Sequence, residues 1–222
     1  HDALTGLANR HRLNHFLSTC LSDGMSGESP VFVLALDLDR FKPINDTFGH
    51  AAGDVVLREV ASALTSGTRE TDLVARLGGD EFIVVATDCR TLEQAERLCL
   101  RLIEQINQPI RIGANEVSVG ASIGIVSAPY DGLIADDLLR YADIALYEAK
   151  SSGRNLFRFY EPAMNERIME RRQLEMDMRQ ALRRHEFRLD FQPRYDAPSQ
   201  TIVGAEALVR WQHPIRELLS PA

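Results

Sequence analysis

Asp80 and Glu81 follow two glycines in "ARLGGDEFIVVA" (75–86), between runs that read as strand. A Gly-Gly connection between apolar runs signals a hairpin, because glycine accepts the positive φ of a tight turn. Solubility there needs no more than Asn, Ser or Lys, so two adjacent carboxylates ask for another reason. A second acidic pair, Asp37 and Asp39, closes the apolar run "VFVLALDLD" (31–39). Carboxylates on neighbouring strands repel one another unless a cation sits among them. A small set of hard oxygen donors suits Mg2+ or Mn2+, held jointly with substrate phosphates. In phosphoryl and nucleotidyl transfer such ions activate an attacking oxygen and neutralise the leaving pyrophosphate. The plainer alternative is a solvated acidic turn.

The residues after the first strand add to the phosphate reading. Phe41 and Lys42 stand where backbone N–H groups and an ammonium can hold phosphates. Asn45 and Asp54 flank a turn expected from Gly49 to Gly53. A carboxylate at the end of a base pocket suits guanine, which offers a ring N–H and an exocyclic amine together. Far along the chain, "AKSSGRN" (149–155) places Lys150 and Arg154 four residues apart, on one face of an expected helix. Taken alone, that pair reads more readily as a solvated helix end.

These residues need elements to carry them. The pattern predicts a helix over 9–21, a turn-rich loop over 22–30 and a strand over 31–39 that is apolar on both faces. Ala52, Val56, Val60, Ala63 and Leu64 recur at helical spacing. The hairpin "DLVARL" and "EFIVVATD" comes next. Thr91 and Gln94 form a capping box, opening a helix whose apolar face is Leu92, Ala95, Leu98, Leu102 and Ile106. "EVSVGASIGIVSA" (116–128) reads as one strand, with Gly120 and Gly124 hinting at a bulge or a close backbone approach. Asp136 is placed as the cap of a helix running to about Ser151, and "NLFRFY" as a short strand. From residue 31 the order is strand, helix, hairpin, helix, strand, a ferredoxin-like βαββαβ core within the α/β (α+β) class. It predicts a mixed, mainly antiparallel sheet, with the first strand central and beside the second hairpin arm. Asp37 and Asp39 then lie near Asp80 and Glu81.

Residues 161–186 carry charge of both signs around Met164, Ile168, Leu174, Met178 and Leu182, as a long linker helix would. Two further strand patterns follow, "FRLDFQP" and "TIVGAEALVRW". They open a new domain too short to bury a core of its own.

Bulk composition narrows the classes. The chain has 222 residues, 45% hydrophobic and 26% charged, which suits a folded domain. A net charge of −7 argues against a general nucleic-acid binder. No apolar run approaches the roughly 20 residues of a membrane span, and no signal-peptide pattern is present. No direct membrane contact is expected from this segment. Cys20, Cys89 and Cys99 show no metal-ligand spacing and read as buried small hydrophobes in a reducing compartment. Opening on His1 and stopping at Ala222 just after a strand pattern, the chain reads as a segment of a longer protein.

"DALTGLANR" (2–10), "DLDRFKPINDTFGHAAGD" (37–54), "GGDEF" (78–82), "SIGI" (122–125) and "ADIALYEAKSSGRN" (142–155) together resemble a GGDEF domain, a diguanylate cyclase. The similarity runs from residue 1 to about residue 160 in order and spacing, and implies the cyclase-palm version of the fold. It implies condensation of two GTP into cyclic di-GMP at the interface of an antiparallel homodimer, in the cytoplasm. By resemblance, Asp37 and Asp80 ligate the metals, with the Leu38 carbonyl as a helper. Glu81 belongs to the same centre, and either Asp80 or Glu81 assists deprotonation of the 3′-hydroxyl. Asn45 and Asp54 read guanine. The Phe41 backbone, Lys42, Lys150 and Arg154 hold phosphates. Arg69 and Asp72, five residues before the first glycine, match an RxxD product-inhibition site, although RxxD also suits a charged loop.

"FRLDFQPRYDAPSQTIVGAEALVRWQHP" (187–214) resembles the start of an EAL domain, a cyclic di-GMP phosphodiesterase with a TIM-like barrel. Glu206 would be a metal ligand there and Arg210 a phosphate contact. The expected division is a GGDEF domain over 1–160, a linker over 161–186 and an EAL stub over 187–222. No phosphodiesterase activity is expected of the stub, and Trp211 and Leu208 are expected to lack their core. The alternative to catalysis is a regulatory module that binds GTP without turnover and tunes an EAL partner domain. A receptor acting through Arg69 and Asp72 alone is the third reading.

Overall fold

The computed structural model describes residues 1–24 and 30–219, in two compact units, His1–Met164 and Asn165–Ala222. In the first unit, β1 (Val31–Asp39) is buried along almost its whole length, as its unbroken apolar run requires. The period of two sorts its side chains. Phe32, Leu34, Leu36 and Leu38 face one apolar cluster, and Val31, Val33 and Ala35 face another. Fully buried Phe32 and Phe82 each contribute roughly 1.5–3 kcal/mol of burial free energy.

The five-stranded sheet has the order β2-β3-β1-β6-β7, with β2 Leu73–Gly78, β3 Glu81–Ala86, β6 Gly120–Ala128 and β7 Phe157–Phe159. Every pair is antiparallel except β6 with β7. This is the ferredoxin-like arrangement read from the sequence, with β1 beside the second hairpin arm. Helices α2 (Phe41–Phe48), α3 (His50–Gly67) and α4 (Leu92–Ile106) supply one cluster. Helices α1 (Arg10–Gly24) and α5 (Ala135–Ser151) supply the other.

Gly124 sets how close α5 comes to the sheet. A Cβ there would stand 2.1 Å from the Ala142 carbonyl oxygen and 2.2 Å from the Leu146 nitrogen. The bare glycine lets the helix backbone lie directly on the strand.

Several local expectations change. Helix α1 continues to Gly24, so residues 22–24 of the expected loop are helical, and 25–29 lie outside the described residues. The 116–128 run is two strands: β5 (Asn115–Val117) pairs back on β4 (Ile110–Ile112), and β6 starts at Gly120. Leu92 is exposed, and Cys99 and Ile103 complete the buried face of α4 in its place. Thr91 caps α4 as expected, but Gln94 reaches back to the Arg90 amide. Asp136 stands inside the first turn of α5, whose N-cap is Ile134. Of the cysteines, Cys99 is buried and Cys20 and Cys89 are partly exposed.

The second unit holds most of α6 (Ala163–Arg183) and an antiparallel sheet of β8 (Phe187–Tyr195), β9 (Ile202–His213) and β10 (Glu217–Leu219). Contrary to expectation, Trp211 is buried. Its indole N–H donates to Glu186 at 3.0 Å, and it packs on Phe187 and His213. Met178 and Leu182 of the expected apolar stripe are exposed. Among the described residues no helix is long and apolar enough to cross a membrane.

Candidate active site

The end of β1 and the hairpin tip meet through register. Asp37 pairs directly with Glu81, so their side chains share the sheet face that α5 covers. Pairing of β1 with β3 stops at Asp37, whereas pairing with β6 continues to Asp39. Beyond Asp37 one edge of the strand is therefore open, beside the Leu38 backbone. Asp80 is partly exposed in the turn itself, which Gly78 and Gly79 make possible with φ of 146° and 53°.

Lys150 crosses from α5 to bring its Nζ within 2.7 Å of Asp37 Oδ2. Burial pushes the Asp37 carboxyl above the ordinary aspartate range; the charges of Asp80 and Asp39 add to this, and Lys150 pulls against it. A second helix carboxylate, Asp143, is also pushed up, first by partial burial and then by the charge of Glu81, with Arg10 and Lys150 opposing. The sequence reading missed Asp143. Its signal was the seven-residue spacing to Lys150, two turns along the same helix face.

Arg76 was also missed. Its guanidinium donates to the Gly79 carbonyl at 2.8 and 3.1 Å and to the Asp2 carboxylate at 3.0 and 3.2 Å, tying the turn to the N-terminal segment. Burial works to raise the Asp2 carboxyl, but hydrogen bonds from Thr5 and the Arg76 guanidinium together hold it below its ordinary value.

The nucleoside candidates lie on α2 and α3, which Gly49 separates at φ 81°. The expected Gly49–Gly53 turn is confined to Gly49, and Gly53 lies inside α3. Gly53 has a packing role: a Cβ there would stand 2.0 Å from Asn45 Oδ1 and 3.1 Å from Phe41 Cζ. Asn45 is thereby seated against α3 next to half-buried Asp54. Helix α2 starts after Arg40, in a left-handed conformation and without a side-chain cap, so nothing but solvent competes for its first N–H groups on that account. Phe41 is buried and Lys42 exposed.

Arg154 departs from expectation. Helix α5 ends at Ser151, and Arg154 sits in the following turn at φ 64°. Its Nε lies 3.9 Å from Asp39. Asp39 itself departs too: instead of joining the acidic centre, its carboxylate is buried and accepts from Ser122 Oγ and the Asn155 amide.

Arg69 and Asp72 are close together but engaged with their own loop and with the residues just after β3. Asp72 accepts from the Arg69 amide at 2.9 Å and the Thr87 amide at 3.0 Å, and Arg69 pairs with Asp88. They border a cavity of about 270 Å³ also lined by Arg97 and Arg101. In the second unit, Glu206 faces Gln192 across the strands, and Arg210 lies 3.5 Å from Asp190.

Among the described residues no three His, Cys, Asp or Glu side chains converge into a ready-made metal site. The donor chemistry nevertheless fits a hard cation. Asp37 and Asp80 put negative charge near an open strand edge, where β1 is no longer paired with β3. Mg2+ uses one or two carboxylates and completes its octahedron with water and phosphate oxygens.

A ferredoxin-like sheet with an acidic strand end, a glycine hairpin and a facing lysine is an arrangement that known proteins share. The family model described as "Diguanylate cyclase, GGDEF domain" matches residues 1–156, and the EAL domain model matches residues 175–222. The chain belongs to the GGDEF family, with the start of an EAL domain following. It is 42% identical over 221 residues to the bifunctional diguanylate cyclase/cyclic di-GMP phosphodiesterase MucR of Pseudomonas aeruginosa, covering 100% of this chain and 32% of that protein. It is 37% identical to the cyclic di-GMP phosphodiesterase PdeR of Escherichia coli, covering 99% of this chain and 33% of that protein. The chain thus spans about a third of the length of these relatives. Among solved structures, a GGDEF-only form of TpbB (YfiN) from Pseudomonas aeruginosa superposes with a TM-score of 0.74 at 39% identity, covering 76% of this chain and 99% of that one.

Proposed function

We propose that residues 1–160 are a working diguanylate cyclase that condenses two GTP into cyclic di-GMP and releases two pyrophosphates. The observation that carries this reading is the Asp37 carboxyl, partly buried and in register with exposed Glu81, close enough to Asp80 for its charge to act on it, with the Lys150 ammonium 2.7 Å away. Carboxylates kept short of charge compensation at a strand edge, next to cations on a separate element, suit a metal-bound triphosphate.

Asp37, Asp80 and the Leu38 carbonyl would hold Mg2+ or Mn2+. Bound there, the ion supplies positive charge for the phosphates and lowers the pKa of a coordinated hydroxyl. The α2 N-terminus at Phe41, with Lys42, Lys150 and Arg154, holds the triphosphate. Asn45 and Asp54 take the guanine edge, Asp54 accepting from the ring N–H and exocyclic amine. Glu81 or Asp80 accepts the proton of the 3′-hydroxyl. That oxygen bonds to the α-phosphorus of the second GTP, and the bond to pyrophosphate breaks. The second GTP comes from a second copy of the chain, so the active species is a homodimer. Product returning to Arg69 and Asp72 stalls the enzyme.

One observation favours a second reading. PdeR, similar over nearly the whole chain, is named a phosphodiesterase. On this reading the GGDEF half binds GTP without turnover and tunes an EAL domain. Incubation with GTP and Mg2+ at high protein concentration, with pyrophosphate followed and the nucleotide identified by mass, separates the two. Cyclic di-GMP supports the cyclase. GTP binding without product, persisting when dimers are enforced by fusion, supports the regulatory module.

A further inference from the structure

Three stretches that carried the family resemblance contain residues that the reaction above does not use: Asp39, Ser122 and Asn155. They meet in one hydrogen-bond cluster around the buried Asp39 carboxylate. Ser122 Oγ lies 2.9 and 3.0 Å from the two Asp39 oxygens, and the Asn155 amide donates to Oδ2 at 2.8 Å. Asp39 is 7% exposed. Gly120 opposite lies close to them: a Cβ there would crowd Asn155 Oδ1 at 3.0 Å and Asp39 Oδ2 at 3.4 Å.

The segment this carboxylate grips is costly to hold. Gly153, Arg154 and Asn155 all have positive φ, at 126°, 64° and 50°. For non-glycine residues the left-handed region is strained, and it persists where surroundings over-determine it. Asn tolerates this conformation better than most residues, and Arg has no such excuse. The turn is fixed from both sides: the Arg154 amide donates to the Ala149 carbonyl at 3.2 Å, and Asp39 takes the next amide and faces the Arg154 guanidinium at 3.9 Å. Asp39 stands two residues beyond Asp37, and the turn starts just beyond Lys150, so one carboxylate ties the acidic strand end to the element that carries both distal cations.

We infer that Asp39 is a positioning residue: its buried clamp on the Gly153–Asn155 turn sets Arg154 and the end of α5 where they can hold the distal phosphates of a nucleoside triphosphate. This rests on the proposed GTP site. The acidic pair at the end of β1 is therefore divided in role, Asp37 turned to the ligand and Asp39 to the protein.

The test compares Asp39→Asn with the unchanged chain, because the amide keeps the shape and loses the charge. Two readouts are taken: amide hydrogen exchange, and affinity for GTP and for GMP, which share guanine but differ in distal phosphates. The expected result is Asn155 exchanging at least about tenfold faster with Leu34 unchanged. GTP should bind about tenfold more weakly and GMP within about twofold. Combined with Arg154→Ala, the loss in GTP affinity should be less than additive. Wild-type protection at Asn155, or equal losses for GTP and GMP, overturns the inference. If Asp39→Asn does not fold, Ser122→Ala, which removes one donor to the same carboxylate, should show the same selectivity for GTP in smaller measure; equal losses there also overturn it. GTP binding without cyclic di-GMP formation would defeat the cyclase reading and leave these comparisons readable. Failure of the unchanged chain to bind either nucleotide overturns both.

Discussion

The acidic centre and the Arg69–Asp72 pocket both gather opposite charges, yet they treat them differently. At the centre, Asp37 is set against Glu81 by strand register, and burial and neighbouring charge raise its carboxyl. In the pocket, both oxygens of Asp72 are used by backbone amides, Arg69 in its own loop and Thr87 just after β3, and Arg69 already has Asp88 as partner. The first region sets several carboxylates against the single Lys150 ammonium, and the second has satisfied itself. A ligand at the centre relieves a standing cost. A ligand in the pocket must first compete with an internal acid.

The largest effect should come from breaking the centre. Asp80→Ala is expected to lower cyclic di-GMP formation by about a thousandfold or more, read as pyrophosphate release. Asp37→Asn should be equally inactive while melting no lower than the unchanged chain in metal-free buffer at neutral pH. The sign follows from the raised carboxyl. The folded state binds a proton more readily than the unfolded one, so ionising Asp37 costs stability. That cost grows as pH rises from the ordinary aspartate value through the raised folded one, and it stays in full above both. A clear drop in melting temperature at neutral pH would show that Asp37 is a structural ion-pair partner of Lys150.

Next in size, Lys150→Ala should raise KM for GTP by about tenfold, as loss of one charge-assisted phosphate contact would. A change in kcat alone would move Lys150 from substrate binding to the chemical step. Asp72→Ala should cost about 1–2 kcal/mol in denaturant unfolding, because it orphans the amides of Arg69 and Thr87. The same change should abolish stalling by product. Stalling that survives would place the inhibitory site elsewhere. The smallest effect is Asp88→Asn, which frees Arg69. An exposed pair is worth little, so product should inhibit about threefold more tightly. Weaker inhibition would mean that Asp88 helps to bind product.

Much of this architecture was legible in the sequence. The unbroken apolar run of β1 announced a strand buried on both faces, and the Gly-Gly hairpin beside it fixed the strand order. Together they brought Asp37 to Glu81. What could not be read was orientation within a few residues of an element's end. Asp37 and Asp39 have the same type and lie on the same strand face, but Asp39 stands opposite Gly120 and diagonal to Ser122, where a carboxylate is drawn inward. Lys150 and Arg154 have helical spacing, but the helix stops between them at Ser151. Asp136 looked like a cap, and the chain placed Ile134 there. Trp211 found shelter because Glu186, just after α6, offered its indole a partner, a contact that strand periodicity does not encode.

The most direct test of the central claim is pyrophosphate release and product mass from GTP and Mg2+, for the unchanged chain and Asp80→Ala side by side at equal, high concentration. The account predicts cyclic di-GMP from the first, slowing as product accumulates, and none above background from the second. Equal turnover by both would contradict the assignment of the acidic centre as the site of catalysis.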